Sequence, residues 1–300
     1  YTDAEIEKAG LTIQGNRGPY DRFRSRIVFP LEDQLGRVIG FGGRIFGKSD
    51  GENAGAKYIN TPQTTLYDKS KYLFALGKAK ASIHEKKNAV LVEGYFDCIL
   101  SHQAGIKNTV AVSGTALTEA HLVSLARLSD ALIFAFDVDK AGVEASRRAV
   151  GLAHAKDFTV HVVDIEGGKD PADIVTRDPG LWQKMVAGAQ ESIEFFLKKA
   201  AANHAAGDPI AKKKIGEEIL PMVGRLSNEI ERAHWVRRLA VILRVGEDAI
   251  WRELEKYKGS EKSHVESSEM PAVLPSLTRK ARLEERILGM VLLDPKFLIL

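Results

Sequence analysis

Short apolar runs that stop at a carboxylate punctuate the middle of this chain. Ala89-Val90-Leu91-Val92 stops at Glu93, and Leu132-Ile133-Phe134-Ala135-Phe136 stops at Asp137. A Gly follows each within a few residues, and then a helical pattern begins. Continuous apolar runs of this length predict strands buried on both faces. Strands are expected at 89–93, 109–112, 131–136 and 158–163, with helices at 95–104, 118–128 and 140–154. This βαβα order predicts a parallel, twisted sheet covered by helices.

The pattern differs on either side. Upstream, a helix is expected from Asp3 to Ala9, then a polar loop with Gly15 and Gly18. Tyr20 to Pro30 reads as one strand, on which Arg22, Arg24 and Arg26 alternate and share a face. A turn over 33–36 leads to a second strand, 37–44, whose glycines allow close backbone approach. Residues 47–56 form a Gly-rich loop, 57–62 a short strand, and 67–86 a helix. Downstream of Leu181 helices are expected at 181–189, 190–206, 209–226, 228–245 and 247–257. Residues 258–276, rich in Ser, Glu and Pro, read as a linker. An apolar helical face restarts from Leu277.

Composition adds little until it is divided along the chain. The net charge is only +3 over 300 residues. Yet residues 1–88 carry 15 Lys and Arg against 10 Asp and Glu, whereas residues 89–175 carry 7 against 12. A basic segment beside an acidic one suits an enzyme that holds a polyanion next to a cation site. The single cysteine, Cys98, excludes an internal disulfide framework and reads as a small buried hydrophobe. No signal peptide or long apolar run is visible, so a cytoplasmic protein is expected. A first residue other than Met and an apolar last stretch suggest a piece of a longer protein.

The candidate chemistry lies where the buried strands end. Ligands of an open parallel sheet bind at the carboxyl edge of its strands. Glu93, Asp137 and Asp139 are expected on that rim, with Asp170 in the loop after the fourth strand. Clustered carboxylates repel unless a proton or cation intervenes. All-oxygen donors favour Mg²⁺, Mn²⁺ or Ca²⁺ over softer metals. The loop Ser113-Gly114-Thr115-Ala116 sits on the same rim, either as a phosphate cradle or as the cap of the helix from Thr118. Arg22, Arg24 and Arg26, with Arg44 and Lys57 on neighbouring strands, form either a phosphate platform or a charge-protected sheet edge.

Glu93-Gly94-Tyr95-Phe96-Asp97 followed by Asp137-Val138-Asp139-Lys140-Ala141-Gly142 resembles the Toprim signature of topoisomerases and primases. With Tyr20 to Pro30, Ile39 to Arg44, Lys57-Tyr58-Ile59-Asn60-Thr61-Pro62 and Gly168-Lys169-Asp170-Pro171, the chain is similar to bacterial replicative DNA primases. The resemblance is dense from Tyr20 to Val175 and loose as far as Tyr257. It implies an α/β fold, a Toprim-type parallel sheet flanked by helices, with a mixed α+β basic N-terminal subdomain and a C-terminal helical subdomain. The divisions are 1–88, 89–175, 176–257, a linker at 258–276, and the start of a helicase-binding domain at 277–300.

The resemblance further implies an RNA polymerase that makes primers on single-stranded DNA from ribonucleoside triphosphates. Glu93, Asp137 and Asp139 would be the catalytic metal-binding acids, supported by Asp97 and Asp170. Arg22, Arg24, Arg26, Arg44, Lys57, Asn60 and Lys69 would handle template and nucleotide. Mg²⁺ is the implied metal, with Mn²⁺ as a substitute, and zinc belongs only to a preceding module. The replicative helicase is the implied partner of an otherwise monomeric core that touches no membrane. One departure stands out: the family's last loop reads Asp-Pro-Asp, and here it is Asp170-Pro171-Ala172-Asp173. The alternatives are another Toprim protein that cuts nucleic acid, a topoisomerase or nuclease, and a non-catalytic nucleic-acid-binding Toprim module. A phosphatase with Asp-x-Asp after a strand is disfavoured by Ala141, where such motifs carry Thr or Val.

Overall fold

The computed structural model describes the chain apart from residue 17 and residues 48–55, 137–139, 166, 204–207 and 263–300, with backbone only at 140–144 and 258–262. Residues 1–257 form one compact unit.

In chain order the first elements are α1 (Asp3–Lys8), β1 (Thr12–Gly15), β2 (Gly18–Asp21), β3 (Arg26–Glu32), β4 (Val38–Ile45), β5 (Tyr58–Asn60) and α2 (Leu76–Lys86). The central alternation is β6 (Ala89–Val92), α3 (Tyr95–Gln103), β7 (Thr109–Ala111), α4 (Glu119–Ala126), β8 (Ala131–Phe134), α5 (Lys140–His154), β9 (Thr159–Val162) and α6 (Pro171–Arg177). Then come α7 (Pro179–Ala187), β10 (Gln190–Glu191), α8 (Ser192–Asn203), α9 (Pro209–Gly224), α10 (Glu229–Leu243) and α11 (Glu247–Lys262).

The central sheet has five strands in the order β10-β9-β8-β6-β7. Its four long members run parallel, and only β10 is antiparallel, on the edge. All four residues of β6 are buried, which is why its sequence is apolar without alternation. Leu91 points to one face, against α2, α4 and α5, and Val90 and Val92 point to the other, against α3, α6 and α7. The first of these cores continues without a break into α8, α9 and α10 through Phe196, Ile219 and Trp235.

The basic region is a separate antiparallel sheet, β3-β4-β5, preceded by the β1–β2 hairpin. A third apolar cluster, containing Phe29, Leu31, Tyr67, Tyr72 and Tyr95, joins it to the central sheet. Two glycines of β4 take the close approach expected of them. A Cβ at Gly42 would lie 2.7 Å from the Tyr95 ring, and one at Gly43 would lie 2.7 Å from Phe23.

Three expectations need correction. Tyr20 to Pro30 is not one strand: β2 ends at Asp21, residues 22–25 turn, and β3 starts at Arg26. Arg22, Arg24 and Arg26 therefore do not form one strand face. The Arg22 amide donates to the Leu11 carbonyl and Ser25 takes φ 51, so the chain bends where alternation would need it extended. The helix expected from Tyr67 starts only at Leu76. Phe74 exchanges backbone hydrogen bonds with Ala111 at 2.9 and 3.2 Å, a strand-type pairing incompatible with a helical turn there. Finally, Pro171–Arg177 is a helix, and the helix expected from 190 begins at Ser192, after the two residues that pair with β9.

Candidate active site

At the carboxyl edge of the parallel sheet lies a cleft of about 520 Å³. Glu93, Asp97, Asp170 and Asp173 line it on one side, and Arg44, Lys57, Asn60 and Lys69 on the other. Glu93 enters it because β6 runs out one residue earlier, and its carbonyl accepts the Ser113 amide at 2.9 Å. Leu91 pairs with Phe134, so β8 ends on the same rim, and the described chain reaches Phe136 there. Asp137 and Asp139 lie outside the described residues.

Asp97 is buried, 7% exposed, and both of its oxygens are used. One accepts from the Gly94 amide at 3.0 Å, at the start of its own helix. The other accepts from the Ala172 amide at 3.1 Å, in the first turn of α6. A single carboxylate thus ties the Glu93 loop to the Asp170 loop. The position departing from the family pattern, Ala172, contributes its backbone amide, which no side-chain change short of proline removes. Burial and then the charge of Asp170 push the Asp97 carboxyl up to about 6, with a smaller push from Glu93 and opposition from the two amides.

Asp170 caps α6, accepting from the Asp173 amide at 2.8 Å, and Pro171 fills the first helical position. The chemistry of this set fits a hard divalent cation: every donor is oxygen, and the raised Asp97 carboxyl reports burial beside further negative charge. Besides Asp97, whose oxygens both accept backbone amides, Glu93, Asp170 and Asp173 are the described carboxylates that face the cleft. Among the described residues alone, no group of three or more His, Cys, Asp or Glu is assembled as a metal site.

The opposite wall is cationic and aromatic. Arg44 leaves β4 with its guanidinium 4.4 Å from the Phe96 ring and 5.6 Å from Tyr58. Lys57 lies 5.9 Å from the same Tyr58 ring. Lys69 overhangs the Ser113-Gly114 turn, where a Cβ on Gly114 would be 3.8 Å from its ammonium. In the 113–116 loop Ser113 and Gly114 line the cleft, and the cap of α4 is Thr118 beyond it, whose hydroxyl accepts from the His121 amide at 3.2 Å. Sequence reasoning misses the rings of this wall as functional groups. The available signal is the aromatic pair Tyr95-Phe96, directly after the Glu-Gly step that ends β6.

The remaining arginines stand apart. Arg22 donates to the Asn60 carbonyl at 3.1 Å, and Arg26 to the carbonyls of Gly43 and Lys57 at 3.4 and 3.3 Å. Arg24 stacks on Tyr20 at 4.2 Å. None of the three lines the cleft. They brace the β3–β5 sheet and its entry hairpin.

Family models match three stretches of the chain. "DNA primase catalytic core, N-terminal domain" matches residues 1–80, "Toprim-like" 90–175, and "DnaB-helicase binding domain of primase" 193–248. The helicase-binding match falls on α8 to α10, upstream of residues 277–300, where such a domain was expected to begin and which lie outside the described residues. A DNA primase of Synechococcus elongatus is 36% identical over 251 residues, 81% of this chain and 35% of that protein. The chain thus spans about a third of the length of that curated relative. The RNA polymerase domain of Mycobacterium tuberculosis primase DnaG, in complex with double-stranded DNA, is 34% identical, with TM-score 0.68 over 82% of this chain and 79% of that one. A DnaG primase catalytic domain bound to single-stranded DNA is 28% identical, with TM-score 0.70 over 82% and 77%.

Proposed function

From its membership of the DnaG family of bacterial DNA primases, whose RNA polymerase domain it spans, we propose that this chain synthesises RNA primers on single-stranded DNA. One observation carries the reading: Glu93 at the end of β6 and Asp170 at the start of α6 share one cleft with the cations Arg44, Lys57 and Lys69. An all-acid cleft would repel a nucleoside triphosphate, and an all-cation cleft would bind it without activating a nucleophile.

The reaction is nucleotidyl transfer. A primer 3′-hydroxyl attacks the α-phosphorus of an incoming ribonucleoside triphosphate, the bond to the β-phosphate oxygen breaks, and pyrophosphate leaves. Divalent cations, Mg²⁺ with Mn²⁺ as a substitute, supply charge neutralisation and lower the pKa of a bound hydroxyl. Glu93 and Asp170, together with Asp137 and Asp139, would hold them. Asp97 orients the two acid-bearing loops through the Gly94 and Ala172 amides. Arg44, Lys57 and Lys69 bind the triphosphate and the template backbone. The rings of Phe96 and Tyr58 hold the Arg44 guanidinium flat and limit its rotamers. Arg22, Arg24 and Arg26 shape the sheet that presents these cations to the template.

The proposed partner beyond DNA is the replicative helicase, recruited into a primosome. Its docking surface is assigned to α8 to α10, where the helicase-binding family model matches. No helix among the described residues is long and apolar enough to cross a membrane; a cytoplasmic, monomeric core is the proposed working form.

The test is incorporation of labelled ribonucleotides on a single-stranded DNA template, with Glu93→Gln as the control. Primer synthesis by the wild type and its loss in a folded variant are expected. Strand cleavage without ribonucleotide incorporation would move the chain to the nuclease or topoisomerase class.

A further inference from the structure

Asn60 lines the cleft, yet the protein itself holds its side chain. Its Nδ2 donates to the Ser113 carbonyl at 3.2 Å, and its Oδ1 accepts from the Tyr95 hydroxyl at 2.7 Å. The orientation of the amide is unambiguous, because a carbonyl only accepts and the NH₂ must face it. The Asn60 backbone is held as well, by Arg22 at 3.1 Å. Both side-chain partners lead to Glu93. The Ser113 amide donates to the Glu93 carbonyl at 2.9 Å, and Tyr95 stands two residues beyond Glu93.

The local geometry is built to permit this. Asn60 pairs with Gly42 across β4 and β5, and the missing Cβ at Gly42 leaves room for the Tyr95 ring beneath it. Ser113 adopts φ 53, a left-handed conformation costly for a residue with a Cβ, and it is buried. A strained, buried turn persists only where its surroundings hold it.

We propose that Asn60 is a positioning residue that clamps the backbone at Glu93 from both sides, through the Ser113 carbonyl and the Tyr95 hydroxyl, and so sets the antiparallel basic sheet against the acid rim. The inference deepens the nucleotidyl-transfer reading and rests on it. Displacement of a reacting group by about 1 Å can cost roughly 100-fold in rate. A clamp on the loop that carries Glu93 therefore acts on the chemical step and not on substrate affinity.

Tyr95→Phe separates this role from direct ligand contact. Tyr95 lines the cleft but is only 2% exposed and its hydroxyl donates to Asn60, so loss of the hydroxyl changes little of the surface offered to ligands. The clamp predicts that Tyr95→Phe lowers kcat for primer extension by about tenfold, with KM for the ribonucleotide and Kd for single-stranded DNA within about twofold. Asn60→Ala should do the same. The double variant should be no slower than Asn60→Ala alone, because both changes open one clamp. Normal kcat in Tyr95→Phe, losses that multiply in the double variant, or a loss confined to KM would overturn the proposal. Amide hydrogen exchange gives a readout that does not require activity. The Ser113 amide should exchange faster in both single variants, and unchanged exchange would also overturn the clamp. Faster exchange in a chain that makes no primer would uphold the clamp and reject the priming reading.

Discussion

The two sheets that meet at the cleft are built on opposite principles. In the parallel sheet, β6 is buried on both faces and its residues answer to two cores at once. In the antiparallel sheet, Val28 and Val38 are exposed, at 43% and 50%, while Phe29 and Leu31 bury inward. The first sheet supplies the Glu93 carboxylate at the point where β6 runs out. The second supplies cations along its length and depends on the first for its inner packing, through Tyr95 against Phe29 at 5.0 Å. Rigidity thus resides in the parallel sheet, and the placement of positive charge depends on how faithfully the second sheet is held against it.

The largest effect should come from the acid side. Glu93→Gln keeps the size of the residue and should cut primer synthesis by roughly 10²–10³-fold with an unchanged melting curve. Near-normal synthesis by the folded variant would remove the acid rim from the chemistry. Next comes the seam between the sheets. Gly42→Ala places a Cβ 2.7 Å from the Tyr95 ring, and overpacking of this kind costs about 1–3 kcal/mol. Urea denaturation would check it; an unchanged midpoint would show that the basic sheet can shift freely on its neighbour.

On the cation side, Arg44→Glu and Lys69→Glu should each weaken binding to any single strand alike. Each should also flatten the salt dependence by roughly 0.7 in log–log slope per lost phosphate contact. Salt titrations by fluorescence anisotropy would read this, and a slope equal to that of the wild type would show that the cation does not meet phosphate.

The smallest effect contrasts two buried groups. Burial holds the His154 imidazole down to about 4, and its Nε2 meets the Ser192 hydroxyl at 3.0 Å. This group contributes stability that is full above its ordinary value and is lost as pH falls from about 6.5 towards 4. Asp97, raised to about 6, contributes with the opposite sign: its share is full below its ordinary value of 3.8 and is lost as pH rises through 6. The stability difference between wild type and His154→Gln should therefore grow from pH 4 to 7, and that between wild type and Asp97→Asn should shrink. Parallel slopes would mean that the two groups do not differ in this way.

The legibility of the chain divides along the same line. Glu93 is readable because a buried strand that runs out leaves the next carboxylate little choice of place, whereas Asp170 is read only as a loop residue and the helix it caps emerges only in the structure. The boundaries of β6, α3, β8 and α5 agree with their patterns to within two residues, and in β6 burial on both faces imposes the apolar run directly. The arginines mislead because alternation over Arg22, Arg24 and Arg26 is a local pattern, and a hydrogen bond from the Arg22 amide to Leu11 bends the chain instead.

By itself, then, the sequence determined the order of the central strands and helices, the place of Glu93 at the end of its strand, and the segregation of charge between two stretches of chain. These are one-dimensional properties: burial selects apolar runs, and a strand that ends must expose the next residue. Only the tertiary structure decided that Arg44, Lys57 and Lys69 face the acids while Arg26 turns to backbone carbonyls. It decided that Asp97 spends both oxygens on amides, one in its own helix start and one 75 residues further on. It also decided that a glycine in one sheet makes room for a tyrosine packed from the other. Such pairings depend on the register and packing of distant segments, and no local pattern encodes which partner a side chain will meet.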